Sequence, residues 1–196
     1  MKDWLRARRA GWCAGAIAAL AATAGLAAGH LPSLNLLYRN SEGAPLRLVI
    51  PALAATGILT ALISPTPRAE LTSARVGRHD AALMAGLVGG ALVLAEGMPA
   101  VMGTADHPFT FTRNLVGFFG IGLIARSLLP ATIAALIPLA WMIPTLTLAR
   151  PEGDLIAWPL LIDGADPRGI GAAVVLLGIG LVAEAGWTRQ RPQRTP

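Results

Sequence analysis

The chemistry open to this 196-residue chain centres on Glu96, a carboxylate late in the apolar run 81–102. Such a group serves a substrate path or conformational coupling, or it makes an interhelical hydrogen bond. Asp106 and His107 follow closely in sequence, and with Glu96 they are the strongest enzyme-like grouping in the chain. Their spacing matches no hydrolase or phosphatase signature, and no Walker A, HExxH or GxSxG sequence occurs. His30, His79 and His107 are too dispersed for a metal site, and Cys13 stands alone, which excludes an intrachain disulfide. We therefore expect no catalytic residue, metal or cofactor on this chain. Two further charges lie near run ends: Glu184, expected to pair with Arg189 or reach headgroups, and Arg126, expected to snorkel to the nearer surface.

The elements that must position these groups are six long apolar runs, at about 11–31, 46–64, 81–102, 114–129, 131–149 and 169–187. Apolar residues make up 54% of the chain and charged residues 14%, a balance that a water-exposed surface of this size does not carry. Each run approaches the roughly 17 to 20 residues needed to cross hydrocarbon. Eleven of the 16 basic residues fall at the two ends or in every second gap: Lys2, Arg6, Arg8, Arg9, Arg68, Arg75, Arg78, Arg126, Arg189, Arg191 and Arg194. The other five, Arg39, Arg47, Arg113, Arg150 and Arg168, occupy the opposite gaps. The positive-inside bias then gives an all-α, polytopic membrane protein of the cell membrane, with six transmembrane helices and both termini cytoplasmic. Anionic headgroups account for the basic ends, and no nucleic-acid partner is expected. On this topology Glu96 lies about 22 Å along its helix, in the outer third of the core. It must there be protonated, paired or turned to a polar cavity.

The whole chain, 1–196, reads as one transmembrane domain. Residues 1–10, with Trp4 among four bases, form an interfacial entrance segment. The cytoplasmic connection 65–80 carries mixed charge, and 68–77 can make two or three turns of helix. The external connection 149–168 encloses an apolar unit, 155–162, between acidic residues and can hold short interfacial helices. Gly11 and Gly15 in the first run and Gly86, Gly89 and Gly90 in the third are expected to form small-residue contact faces. The glycines at 117, 120, 122, 178 and 180 are likewise read as helix packing rather than nucleotide loops. Pro51 is expected near a helix start, while Pro138 and Pro144 fall inside the fifth run and predict kinks.

This layout resembles the permease subunits of six-helix ABC exporters. The entrance segment, the element at 68–77 between helices two and three, and the short unit at 155–162 occupy that family's characteristic places. The stretch Arg113-Asn114-Leu115-Val116-Gly117-Phe118-Phe119-Gly120 through Arg126, with Ala157-Trp158-Pro159-Leu160, looks like small actinobacterial permeases of this kind. The resemblance implies a second permease copy or a homologous permease, and ATP-binding cassette subunits that hold the ATP and Mg. Arg68, Glu70, Leu71, Arg75 and Arg78 would dock those subunits, with Glu96, Pro138 and Pro144 in the transport path or its coupling. A mostly apolar path implies a hydrophobic or amphipathic cargo such as a drug, lipid or peptide. A stand-alone secondary carrier or channel using Glu96, and a non-transport membrane scaffold, remain the alternatives.

Overall fold

The computed structural model describes residues 10–26, 46–63, 74–102, 109–148 and 167–190. They form six helices: α1 (Ala10–Leu26), α2 (Leu46–Ala61), α3 (Ala74–Met102), α4 (Thr110–Leu128), α5 (Ala131–Leu148) and α6 (Pro167–Gln190). The six apolar runs and the six helices correspond one to one, and the described part of the molecule is all-α.

Two helix starts fall earlier than the sequence suggests. Helix α3 begins at Ala74, so Arg75, Arg78, His79 and Asp80 extend it rather than lie in a connection. Nothing in 74–80 breaks a helix, and the polar residues there add about two turns ahead of the apolar run. Helix α4 begins at Thr110, ahead of the apolar run at 114, which puts Arg113 inside its first turn and a half instead of in an outer gap. Residues 1–9 of the expected entrance segment 1–10, residues 27–45, Arg68, Glu70 and Leu71, Asp106 and His107, and the external unit at 155–162 lie outside the described residues.

Local chemistry explains where α4 stops. Leu129 precedes a proline, which disfavours the helical region for that residue. It takes an extended conformation (φ −122, ψ 159), and its N–H still donates to the Ala125 carbonyl at 2.8 Å. Pro130 then opens α5 by accepting from Ala134 N–H at 2.9 Å. So short a link makes α4 and α5 antiparallel neighbours. Helix α5 runs unbroken through both Pro138 and Pro144, and α2 through Pro51. Pro51 lies beyond the first turn of α2, so the Arg47 carbonyl loses its helical donor.

Helix α4 is the axis of the bundle. It packs against α2, α3, α5 and most extensively α6, while α1 packs on α2 and α3. Phe118, Leu115 and Leu123 of α4 meet Ile58 and Leu59 of α2 and Ile17 of α1 in a core with no solvent access to speak of. The α4–α6 contact is set by two glycines. A Cβ at Gly120 would lie 2.6 Å from the Leu176 carbonyl carbon and the Leu177 nitrogen, and one at Gly180 would lie 2.7 Å from the Gly120 oxygen. The two backbones thus touch where side chains would normally separate them. Gly122 plays the same part against the Leu59 side chain of α2.

The glycines of α1 and α3 do not. At Gly11, Gly15, Gly86, Gly89 and Gly90 an added Cβ would meet nothing within 4 Å, so the expected contact faces are not used among the described residues. Alanine-rich composition, rather than close approach, accounts for those patterns.

Substitution separates the two classes. Gly120→Ala and Gly180→Ala force backbone atoms apart and are expected to lower stability by about 1–3 kcal/mol, as overpacking does. Gly86→Ala and Gly90→Ala are expected to be neutral or to stabilise by up to about 1 kcal/mol through helix propensity. Thermal unfolding of the purified chain in detergent, followed by tryptophan fluorescence, checks the contrast. Equal effects at all four positions would show that the α4–α6 crossing is not close.

Candidate functional site

The surface of the bundle and its polar interior are inverted relative to a water-soluble protein. Within 11–23, 49–63, 82–97, 100–101, 109–143 and 168–186, every exposed residue is apolar or glycine except Thr23, Thr60, Thr132 and Arg168. Two of those threonines fold their hydroxyls back on their own helices: Thr23 Oγ1 donates to Ala19 O and Thr60 Oγ1 to Thr56 O, each at 2.7 Å. In contrast, Arg113 and Asn114 are buried, and Glu96, Arg126 and Glu184 are partly covered. The polar groups gather at the two ends of α4, and those ends are the candidate sites.

At the first end, Glu96 of α3 caps α4. Its Oε1 accepts from Thr112 N–H at 3.0 Å and from Thr112 Oγ1 at 2.7 Å, while Oε2 accepts from Phe109 N–H at 3.1 Å. Helix termini leave their first amides unsatisfied, and a side chain of the N-cap residue usually answers them. Here the N-cap is Phe109, which makes no side-chain capping bond, and the carboxylate comes from a neighbouring helix instead. Phe109 holds φ 68, ψ 0, a left-handed conformation that costs a bulky residue about 1–3 kcal/mol. That turn, followed by right-handed helix, lets the Phe109 and Thr112 N–H groups converge on one carboxylate. The carboxylate also meets the positive end of the helix dipole. Of the two readings open for Glu96, the geometry displays the interhelical hydrogen bond.

At the other end, Arg126 Nη2 lies 3.3 Å from Glu184 Oε1 and joins α4 to α6. The sequence suggested Arg189 or a headgroup as the partner of Glu184, and a headgroup for Arg126. The glycine crossing brings α6 near enough for the two to meet each other. With both side chains about one-fifth exposed or less, the pair keeps some solvent or headgroup contact. Ser127 Oγ donates to Ile124 O at 2.7 Å beside it, so this hydroxyl too is turned back on its own helix.

The remaining candidates are scattered. Pro138 is fully buried on α5, and Pro144 lies one and a half turns further along the same helix. Arg75 and Arg78 sit in the first turns of α3, away in sequence from the Glu96 contact at its far end. Cys13 is half-buried and packs on the core, as a small apolar residue would. Among the described residues no three His, Cys, Asp or Glu side chains come together as a metal site.

No protein-family model, curated protein or solved structure matches this chain. The site therefore has to be read from its own geometry. Thr112, Thr110 and Asn114 were not singled out from the sequence, although the run Thr110-Phe111-Thr112-Arg113-Asn114 signals a polar helix start between apolar segments.

Two predictions follow from the ends of α4. Glu96→Ala removes all three capping bonds and is expected to cost about 2 kcal/mol or more, and Glu96→Gln, which keeps one acceptor oxygen, roughly half as much. Denaturation in mixed micelles measures both, and equal stability of Glu96→Ala and wild type would show that the cap is not used. For Arg126 and Glu184, either single change to Leu is expected to destabilise more than the double change, because one buried charge is otherwise left without its partner. A double-mutant cycle with coupling near zero would exclude a functional pair.

Proposed function

We propose that this chain is an integral membrane protein that crosses the bilayer six times with both termini in the cytoplasm, and that it serves as the permease subunit of an ATP-driven exporter of hydrophobic or amphipathic cargo. The observation that carries the membrane reading is the inverted surface. Helix α6 over Arg168–Gly186 is long and apolar enough to cross a bilayer, yet only 17% of that stretch is buried. A core helix of a soluble protein would be mostly covered, whereas this one shows Ile170, Val174, Val175, Ile179, Leu181 and Val182 to its surroundings. The same holds for Ile133, Leu136, Trp141 and Ile143 of α5. Hydroxyls folded back on their own helices suit a medium that offers no hydrogen bonds.

The permease reading rests on three supports: the six-helix count, the basic residues in alternate gaps, and the resemblance carried by residues 113–126. Arg75 and Arg78, in the first two turns of α3, place positive charge at the end of a helix whose apolar part starts only at about residue 81. A helix of 29 residues is about 44 Å long and outreaches a 30 Å hydrocarbon core, so that basic end projects towards a cytoplasmic partner. The ATP and Mg would sit on that partner, an ATP-binding cassette subunit. The carrier reading, in which Glu96 binds a proton or ion, is weakened because both carboxylate oxygens are already engaged at the start of α4.

Two measurements test this function in sequence. The chain is expected to resist alkaline carbonate extraction, with reporters fused at either terminus reading cytoplasmic and reporters in 31–45, 103–108 and 151–166 reading external. A reporter pattern with termini on opposite sides would remove the topology. Affinity purification is then expected to recover a stoichiometric ATPase, and Arg75→Glu with Arg78→Glu to lower transport per ATP hydrolysed without lowering the yield of folded chain. A solitary chain with Glu96-dependent proton flux would replace the exporter with a carrier.

A further inference from the structure

The short link between α4 and α5 carries an apolar tip where a turn facing the cytoplasm would be polar. Leu128 and Leu129 are 78% and 40% exposed, and Pro130 is exposed beside them. From Leu129 the exposure continues up α5 through Ile133, Leu136, Ala140 and Ile143, at the three- and four-residue spacing of a single helix face. Thr132 is the one exposed polar residue in 128–143. The nearest charge in sequence, Arg126, is held sideways by Glu184.

Contacts with the two flanking helices fix the level of this tip. Helices α4 and α6 run parallel, since Gly120 meets Leu176, Leu177 and Gly180 while Arg126, further along, meets Glu184. Leu128 and Leu129 therefore stand level with Gly186 and Trp187, and α6 runs on past Arg189 to Gln190. In a six-crossing topology α3 runs the opposite way from its contact between Glu96 and Thr112. Arg75 then lies about 32 Å from Glu96, whereas Leu128 lies about 24 Å from Thr112. Basic positions on both flanking helices thus lie about 3–8 Å beyond the tip. Arginines at the ends of membrane helices mark the headgroup level, so leucines short of them meet acyl chains. We propose that Leu128, Leu129 and Pro130 insert into the acyl region of the cytoplasmic leaflet, just beneath its headgroups. The inference rests on the six-crossing membrane reading and adds the surface that lipid occupies at the inner end of the bundle. It leaves the basic ends of α3 and α6, and not this turn, to meet a cytoplasmic partner.

The test uses the full chain with Cys13→Ala, reconstituted in vesicles of phosphatidylethanolamine and phosphatidylglycerol. Leu128→Cys, Leu129→Cys, Val174→Cys and Gln193→Cys, one at a time, carry an environment-sensitive fluorophore. Both leucines are exposed, so labelling there leaves the helix packing intact. Quenching by iodide on both sides of the membrane is compared with quenching by a nitroxide near the headgroup end of a lipid acyl chain. Positions 128 and 129 are expected to be quenched by the nitroxide, and about tenfold less by iodide than position 193, because an ion is strongly disfavoured in an apolar layer. Iodide quenching at 128 and 129 equal to that at 193 would place the tip in water and overturn the proposal. Nitroxide quenching that vanishes when a co-purified ATPase is bound would assign the tip to that partner and overturn it equally. Position 174, exposed on α6, separates this inference from the reading beneath it. Nitroxide quenching at 174 with iodide quenching at 128 removes the inserted tip alone, whereas iodide quenching at 174 as well removes the membrane reading.

Discussion

A bundle whose exposed described residues are nearly all apolar gathers its polar contacts between helices, and in this protein α4 concentrates them. It packs against four other helices, and the polar groups at both of its ends find partners on two of them. Its first turn takes a carboxylate from α3 and its last turn takes one from α6. The same helix thereby fixes three elements in register along its length. Phe109 shows how tight the requirement is, since a strained left-handed residue is retained where relaxation would swing its N–H away from Glu96.

Between those polar ends the packing is done by the absence of side chains. Gly120 and Gly180 let two backbones touch, and Gly122 receives a leucine from α2. Backbones this close gain dispersion between many atom pairs, which holds α6 to α4 with few large side chains between them. The salt bridge at Arg126 complements that crossing, because a pair of charges beside a close contact resists the sliding of α6 that dispersion alone would permit. Polar bonds set position and glycines set distance.

Much of this was legible in the residues. Six apolar runs gave six helices, and Glu96 stood out as a carboxylate where one is costly. Gly120, Gly122 and Gly180 were recognisable as packing glycines, but nothing in the sequence distinguished them from Gly86 or Gly90, because small-residue spacing is the same whether or not a partner helix arrives. Partner choice was equally hidden. Glu184 is five residues from Arg189 and 58 from Arg126 in sequence, and only the backbone crossing makes the distant arginine the near one. The start of α4 was missed for a related reason: apolar periodicity cannot see a helical turn made of Thr110, Thr112 and Arg113, whose amides are answered from another helix.

The place of α6 has a consequence for how the molecule is made. This helix leans on α4 and on little else, and it is the last of the six to leave the ribosome. The first five helices can come together beforehand, since the contacts of α4 with α2, α3 and α5 involve no residue beyond 148. Until α6 arrives, the notch at Gly120 and the charge of Arg126 lie uncovered. The final helix therefore completes a surface that its predecessors have already shaped, and chain truncation after 148 would leave an assembled but unfinished precursor with a polar seam open to any other helix that carries a glycine and an acid at the same spacing.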